Sequence, residues 1–135
     1  PCEAIQVLDR VALEAEPEID HAEMFADSHS PSVPEVTDAI SRAACDLAAA
    51  VRASAIVTTT GSGETARLVA RLRPATPVLA MTTSDAVARQ LNLSWGVVSE
   101  TAKTTETTEK LGNAIRAALE AHELGKGGDR VVITA

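Results

Sequence analysis

The chain has 135 residues, 45% of them hydrophobic, which is enough apolar material for the core of one compact domain but not of two. A single Phe, a single Trp and no Tyr leave the packing to aliphatic side chains, which argues against the aromatic-rich all-β classes. The formal net charge of −7 argues against nucleic-acid binding, and no apolar run reaches the roughly 18 residues of a membrane span, so we expect a cytoplasmic protein.

The N-terminal part of the chain is predicted to be a helix followed by a linker. Residues 1–16 carry apolar side chains at helical spacing, which predicts a first, isolated helix: Ile5, Leu8, Ala12 and Ala15. Residues 17–34 are rich in Pro, Ser, His and acidic side chains and lack periodicity, which is typical of a linker. We therefore expect the compact domain to occupy residues 35–135.

A long helix is expected to open this domain. Ser32 and Glu35 stand three residues apart, the spacing of a capping box that binds the free N–H groups at a helix start. The apolar residues that follow predict the buried face of the helix: Val36, Ala39, Ile40, Ala43, Ala44, Leu47 and Val51.

The rest of the domain alternates between short apolar runs and helical segments. Strands are predicted at residues 55–58, 77–81, 95–98 and 129–134. Helices are predicted around residues 68–72, at 84–91 and from about 105 to 123. Such alternation is typical of a mostly parallel sheet covered on both faces, so we predict a three-layer α/β/α domain with four parallel strands.

The loop between the first predicted strand and its helix is the strongest candidate site. It contains Thr60, Gly61, Ser62, Gly63 and Thr65, which offer hydroxyls and exposed N–H groups at a helix N-terminus. These groups, with the positive end of the helix dipole, suit a phosphate group. Glycine and hydroxyl residues are equally what a tight strand-to-helix turn needs, so from the residues alone both interpretations stay open.

A dinucleotide site is the weaker interpretation of the same loop. Gly61, Gly63 and Ala66 fit the spacing of the nucleotide-binding fingerprint, and Asp85 follows at about the distance of a ribose ligand. Asp85 is, however, better placed to cap the next helix, and Glu64 would face a pyrophosphate with like charge.

The remaining reactive side chains form no recognisable catalytic or metal-binding pattern. The predicted linker holds several potential ligands without compact spacing, and we interpret it as a solvated charged segment: Asp20, His21, Glu23, Asp27 and His29. Cys2 and Cys45 lie far apart and are expected to be small buried thiols. His122 stands alone near a helix end, and we expect no catalytic residue in this chain.

Several blocks of the sequence resemble the C-terminal domain of pyruvate kinases. The most specific block begins at Ser62, runs to Pro74 and is followed by the strand at residues 77–82. Further blocks agree in the same order along the chain: Pro1–Ile5, Asp38–Ile40, Ala88–Leu93, Trp95–Val97, and Gly125–Asp129 before Val131–Thr134. The first of these resembles the last helix of the catalytic barrel of that family.

The resemblance implies a regulatory and assembly role rather than catalysis. The parent enzymes of glycolysis transfer phosphate from phosphoenolpyruvate to ADP with Mg²⁺ and K⁺, which other segments bind. The family domain forms homo-oligomers and often binds a sugar phosphate or AMP as allosteric effector, here through Thr60, Gly61, Ser62, Gly63 and Thr65. The alternative is a free-standing phosphometabolite-binding protein of the same fold.

Two departures from the family pattern bear on effector binding. Glu64 stands where many relatives carry a basic or neutral residue. The chain also ends before the loop and last edge strand of the family domain, so we expect an unpaired sheet edge and an incomplete effector site.

Overall fold

The structure, a computed structural model, describes residues 2–27, 35–102 and 108–134. The helices within these ranges are α1 (Cys2–Ala15), α2 (His21–Asp27), α3 (Val36–Val51), α4 (Glu64–Arg71), α5 (Asp85–Leu91) and α6 (Thr108–Ala121), with one 3-10 turn at Glu16–Glu18. The strands are β1 (Ala55–Thr59), β2 (Val78–Thr82), β3 (Val97–Thr101) and β4 (Val131–Thr134). No helix of this described part is long and apolar enough to cross a membrane.

The four strands form one parallel sheet in the order β3-β2-β1-β4. Ile56 at the centre of the sheet lies opposite Val78 on one side and Val132 on the other. Every residue of β2 and four of the five residues of β1 are buried, because helices cover both faces. The predicted fold class is therefore confirmed.

The sheet separates two hydrophobic clusters. Ile56 points into the cluster formed with α3, α4 and α5, whereas its neighbour Val57 points into the cluster formed with α6. Successive side chains of a strand leave opposite faces of the sheet, so a short apolar run supplies both cores at once. Small residues such as Ala44, Ala48 and Ala66 line the first cluster and let the helices lie close to the strands.

The predicted buried face of α3 is confirmed at Ala44 and, in part, at Val51, but it is wrong at the other predicted positions. Its buried residues are Ser41, Ala44, Cys45 and Ala48. By contrast, Val36, Ile40 and Leu47 are 76%, 45% and 51% exposed. Apart from the charged stripe of Asp38, Arg42 and Asp46, the helix is largely apolar. Close packing on α4 and β4 selects the face with small side chains, which leaves the larger aliphatic side chains in solvent.

The segment predicted as a linker contains regular structure. The 3-10 turn and α2 both lie within or at the edge of residues 17–34. The Asp20 carboxylate accepts hydrogen bonds from the backbone N–H groups of Ala22 and Glu23, both at 3.0 Å, and so caps the start of α2. Ser32 of the predicted capping box lies outside the described residues, and Glu35 is the N-cap of α3 without a side-chain cap bond.

Other element boundaries differ from the predictions by a few residues. β3 begins at Val97 rather than Trp95, because Gly96 adopts a positive φ of 61° and turns the chain just before the strand. The start predicted for the last helix, near residue 105, lies outside the described residues. α1 forms as predicted, yet none of its residues is buried, and Ile5 and Leu8 of its apolar stripe are 65% and 63% exposed.

Candidate functional site

The candidate loop joins the carboxyl end of β1 to the N-terminus of α4. The N–H group of Thr60 donates to the carbonyl oxygen of Met81 on β2 at 2.9 Å, which ties the start of the loop to the sheet. Ser62 and Gly61 are exposed, whereas Gly63 is buried. The loop therefore lies where parallel α/β sheets bind ligands, beyond the carboxyl ends of the strands.

Two hydroxyls of the loop bind its own backbone. The N–H of Gly63 donates to Thr60 Oγ1 at 2.9 Å, and the N–H of Glu64 donates to Ser62 Oγ at 3.3 Å. A hydroxyl that accepts a hydrogen bond keeps its own proton, which it can donate to an anion. The loop is thus a self-bonded turn whose hydroxyls remain available as outward donors.

Gly63 is required by both the conformation and the packing of this turn. Its φ is 82°, and a Cβ atom would lie 3.0 Å from Val87 Cγ1 and 3.2 Å from Leu91 Cδ2. Only glycine has no side chain to clash in this left-handed conformation. By contrast, a Cβ atom on Gly61 would meet nothing within 4 Å, so that position faces open space.

Two opposite charges flank the loop. Glu64 is exposed in the first turn of α4. The Arg67 guanidinium donates to the carbonyl oxygen of Ser62 from both Nη1 at 3.1 Å and Nη2 at 3.2 Å. Arg67 is not among the residues predicted for this loop, although a basic residue one turn after a glycine-rich loop is a signal for anion binding.

The geometry gives no support to the dinucleotide interpretation. Thr82 ends β2, whereas Asp85 lies three residues later in the first turn of α5. The N-cap of α5 is Ser84, whose hydroxyl accepts a hydrogen bond from the N–H of Val87 at 3.4 Å. Asp85 was expected to cap this helix, but the cap is the residue before it. In a dinucleotide site, the acidic side chain that binds the ribose lies at the end of the second strand, which is not where Asp85 lies.

The other candidate side chains have structural roles in the described residues. His21 Nδ1 contacts the carbonyl oxygen of Arg73 at 3.0 Å, and His122 Nε2 contacts Glu100 Oε2 at 2.9 Å. No group of three His, Cys, Asp or Glu side chains could hold a metal ion within the described ranges, and His29 lies outside them.

The two cysteines differ in environment, which corrects the expectation that both are buried. Cys2 is exposed on α1, whereas Cys45 is buried on α3. Burial and the nearby Asp46 carboxylate raise the pKa of the Cys45 thiol from 9.0 to about 11, against a smaller opposing effect of Arg42. Cys45 is therefore a neutral thiol at physiological pH.

Comparison with known proteins identifies consistent relatives. The pattern of the family described as pyruvate kinase, alpha/beta domain, matches residues 38–135. The pyruvate kinase of Clostridium acetobutylicum is 41% identical over 138 residues, which cover the whole of this chain and 28% of that protein. The pyruvate kinase of Geobacillus stearothermophilus is 39% identical, over the whole chain and 23% of that protein.

A solved structure agrees with the sequence relatives. The crystal structure of Cryptosporidium parvum pyruvate kinase superposes with a TM-score of 0.89 at 30% identity. The match covers 97% of this chain and 27% of that one. The chain thus spans about a quarter of the length of the proteins it resembles.

Proposed function

Because the chain belongs to the pyruvate kinase alpha/beta domain family and corresponds to the C-terminal domain of full-length pyruvate kinases, we propose that it regulates and assembles such an enzyme. The parent enzyme would transfer phosphate from phosphoenolpyruvate to ADP in the cytoplasm, as a step of glycolysis. Catalysis and the binding of Mg²⁺ and K⁺ fall to other segments of the parent. We propose no catalytic step for this chain itself.

The observation that carries the regulatory proposal is the donor set of the loop. Thr60 and Ser62 accept hydrogen bonds from loop N–H groups and can donate their own protons outward. Thr65 adds a third, half-buried hydroxyl in the first turn of α4. The positive end of the α4 dipole lies at the same place, so the loop suits the phosphate of a sugar phosphate or of AMP.

The charges around the loop predict weak binding. A helix dipole contributes only about 0.3 to 1 kcal/mol to an exposed anion. Arg67 adds an attractive charge beside Ser62, whereas Glu64 on the same turn of α4 repels an anion. We therefore expect the charge at position 64 to control the affinity.

Assembly is proposed to use the exposed face of α3. Val36, Ile40 and Leu47 lie on one side of this helix, and the small side chains of Ala39 and Ala43 between them are also exposed. Aliphatic side chains around small ones allow two helices to approach closely, and a two-fold axis would pair this face with its own copy. The occupant that we propose for this face is therefore a second copy of the chain.

The exposed stripe of α1 supports the proposed division into domains. Ile5, Leu8 and Val11 are each more than half exposed, although a lone helix rarely leaves such a stripe in water. The relatives match this chain from its first residues and are several times longer. We propose that residues 1–16 pack on the catalytic barrel, residues 17–34 connect the two parts and residues 35–135 form the regulatory domain.

Titration calorimetry on the loop variants tests the regulatory proposal. The ligands are fructose 1,6-bisphosphate, glucose 6-phosphate, ribose 5-phosphate and AMP. We expect weak heat for at least one ligand on the wild type, stronger binding to Glu64→Arg, and none to a variant with both Ser62→Ala and Thr65→Ala. Ser94→Ala, which removes a hydroxyl at the opposite end of the sheet, should leave binding unchanged.

One calorimetric result would contradict the proposed phosphate site. If no ligand gives heat on the wild type and on Glu64→Arg alike, the loop is a structural turn. The alternative function, a free-standing phosphometabolite-binding protein, shares the loop but not the barrel. The length of the native polypeptide in cell extract, measured by immunoblot, separates the two, because the first requires a chain several times longer.

A further inference from the structure

A cavity of about 300 Å³ lies beneath α2, remote from the candidate loop. Three segments form its walls, namely α2, α3 and the connection between α4 and β2. The side chains that argue for a ligand are His21, Phe25, Cys45, Asp46, Ala49 and Thr76. The cavity belongs neither to the loop nor to the exposed face of α3.

The contacts of α2 explain why this space is open. At its start, His21 Nδ1 contacts the carbonyl oxygen of Arg73 at 3.0 Å, and one turn later Phe25 packs against the first hydrophobic cluster. The Arg42 guanidinium also lies 4.9 Å from the centre of the Phe25 ring. These contacts fix α2 at both ends, and the small side chains of Ala22 and Ala49 do not fill the space between.

The size of the cavity limits the ligand. Ala22, Ala49 and Ala75 in its walls are exposed, so the space opens to solvent and a bound molecule would remove their apolar surface from water. A cavity of about 150 Å³ is known to accommodate one benzene ring in another protein. The space beneath α2 is about 300 Å³, which suits a flat bicyclic ring system.

The polar groups at the cavity select the charge of the ligand. Asp46 contributes an exposed carboxylate, and Thr76 contributes a hydroxyl. His21 Nδ1 contacts the Arg73 carbonyl oxygen at 3.0 Å, so Nε2 is the ring nitrogen that remains for a ligand. Asp46 is the one carboxylate among the lining side chains and favours a ligand with an ammonium group, while the Arg42 guanidinium at the Phe25 ring partly offsets this preference.

We propose that this cavity is a binding site for a small aromatic amine, with the ring between α2 and α3 and the ammonium group beside Asp46. Such a ligand would hold α2 against the domain, because it touches both helices. The site requires neither the phosphate loop nor self-association.

Cys45 in the cavity wall provides the measurement. It is buried, and its pKa of about 11 keeps the thiol neutral and slow to react at pH 8. In a Cys2→Ser background it is the one remaining thiol of the sequence. The rate of its reaction with 5,5′-dithiobis(2-nitrobenzoate) then reports whether the cavity is occupied.

The probes are tryptamine and indole-3-acetate, which share the ring and differ in charge. We expect tryptamine to slow the reaction of Cys45 at least threefold and saturably, and indole-3-acetate to have little effect. Asp46→Asn should raise the half-saturating concentration of tryptamine about two- to fivefold, the effect of an exposed ion pair.

Two matched variants locate the site. Ala49→Leu places a larger side chain in the cavity and should abolish protection by tryptamine, whereas Ala50→Leu on the next residue of α3 should not. Circular dichroism verifies that both variants are folded. The proposal is overturned if tryptamine gives no saturable protection, if Ala49→Leu is protected as well as the wild type, or if indole-3-acetate protects equally.

Discussion

Replacement of Gly63 by alanine is expected to destabilise the domain through a single buried methyl group. The left-handed conformation at φ 82° costs a residue with a side chain roughly 1 to 2 kcal/mol. The new Cβ atom would lie 3.0 Å from Val87 Cγ1 and 3.2 Å from Leu91 Cδ2, so these two side chains of α5 must move by a few tenths of an ångström, at an overpacking cost of about 1 to 3 kcal/mol. We expect Gly63→Ala to lower the free energy of unfolding by roughly 2 to 5 kcal/mol.

Gly61→Ala is the matched control for this substitution. Gly61 lies two residues earlier in the same loop, its φ is not positive, and its Cβ atom would contact nothing within 4 Å. Its effect on the free energy of unfolding should stay within about 0.5 kcal/mol. The comparison therefore isolates the backbone conformation and the contact with α5 from the general effect of adding a methyl group.

Urea unfolding followed by tryptophan fluorescence measures both variants. Trp95 is the single tryptophan of the chain, and the Arg73 guanidinium lies 4.5 Å from the centre of its ring in the folded state, so its emission should change on unfolding. With a slope of about 1 to 3 kcal/mol per molar urea, the midpoint for Gly63→Ala should fall by about 1 M or more. If Gly63→Ala proves as stable as Gly61→Ala, the described close contact with α5 is refuted.

Three further predictions concern α3 and the core. The Leu47 side chain is 51% exposed on the proposed dimer face, so light scattering should show that Leu47→Asp converts dimers to folded monomers, whereas Ala117→Asp on the exposed surface of α6 should leave dimers intact. A wild-type protein that is monomeric at high concentration would contradict the proposed face. Thr58→Val should raise the free energy of unfolding by about 1 kcal/mol, because the buried Thr58 Oγ1 lacks a hydrogen-bond partner, and a loss of stability would indicate an overlooked partner. Because the pKa of Cys45 is raised, the folded state retains the thiol proton, so the contribution of this group to stability is complete below pH 9 and is lost as pH rises from 9 towards 11. In thermal melts the stability of Cys45→Ala should therefore decline less steeply at alkaline pH than that of the wild type, and an unchanged decline would contradict the raised pKa.

The sequence predicted the sheet and its connections because those signals are local. Short β-branched runs such as residues 55–58 are too brief for buried helices, and their alternation with helical segments implies parallel pairing. The position of the candidate loop follows from the same alternation. The two glycines and two hydroxyls between the strand and the helix, with Thr65 in the first turn of the helix, are visible in the sequence, so locating the candidate loop required no knowledge of long-range contacts.

The contacts that hold the candidate loop in place could not be predicted from the sequence and are seen only in the tertiary structure. The sequence could not show that Gly63 packs against Val87 and Leu91 of α5, because that contact depends on how two crossovers bring α4 and α5 to the same face of the sheet. Nor did it assign Arg67 to the Ser62 carbonyl oxygen. The balance of charges around the candidate loop therefore depends on the tertiary structure.

The clearest division between sequence and structure lies at α2 and α3. The sequence by itself determined that α3 forms, because apolar residues recur at helical spacing from Val36 to Val51. It did not determine which side is buried, because several faces of an alanine-rich helix are apolar and only the fit against α4 and β4 chooses among them. The docking of α2 depends likewise on His21 meeting Arg73, 52 residues away in the sequence, and no local pattern can encode such a contact.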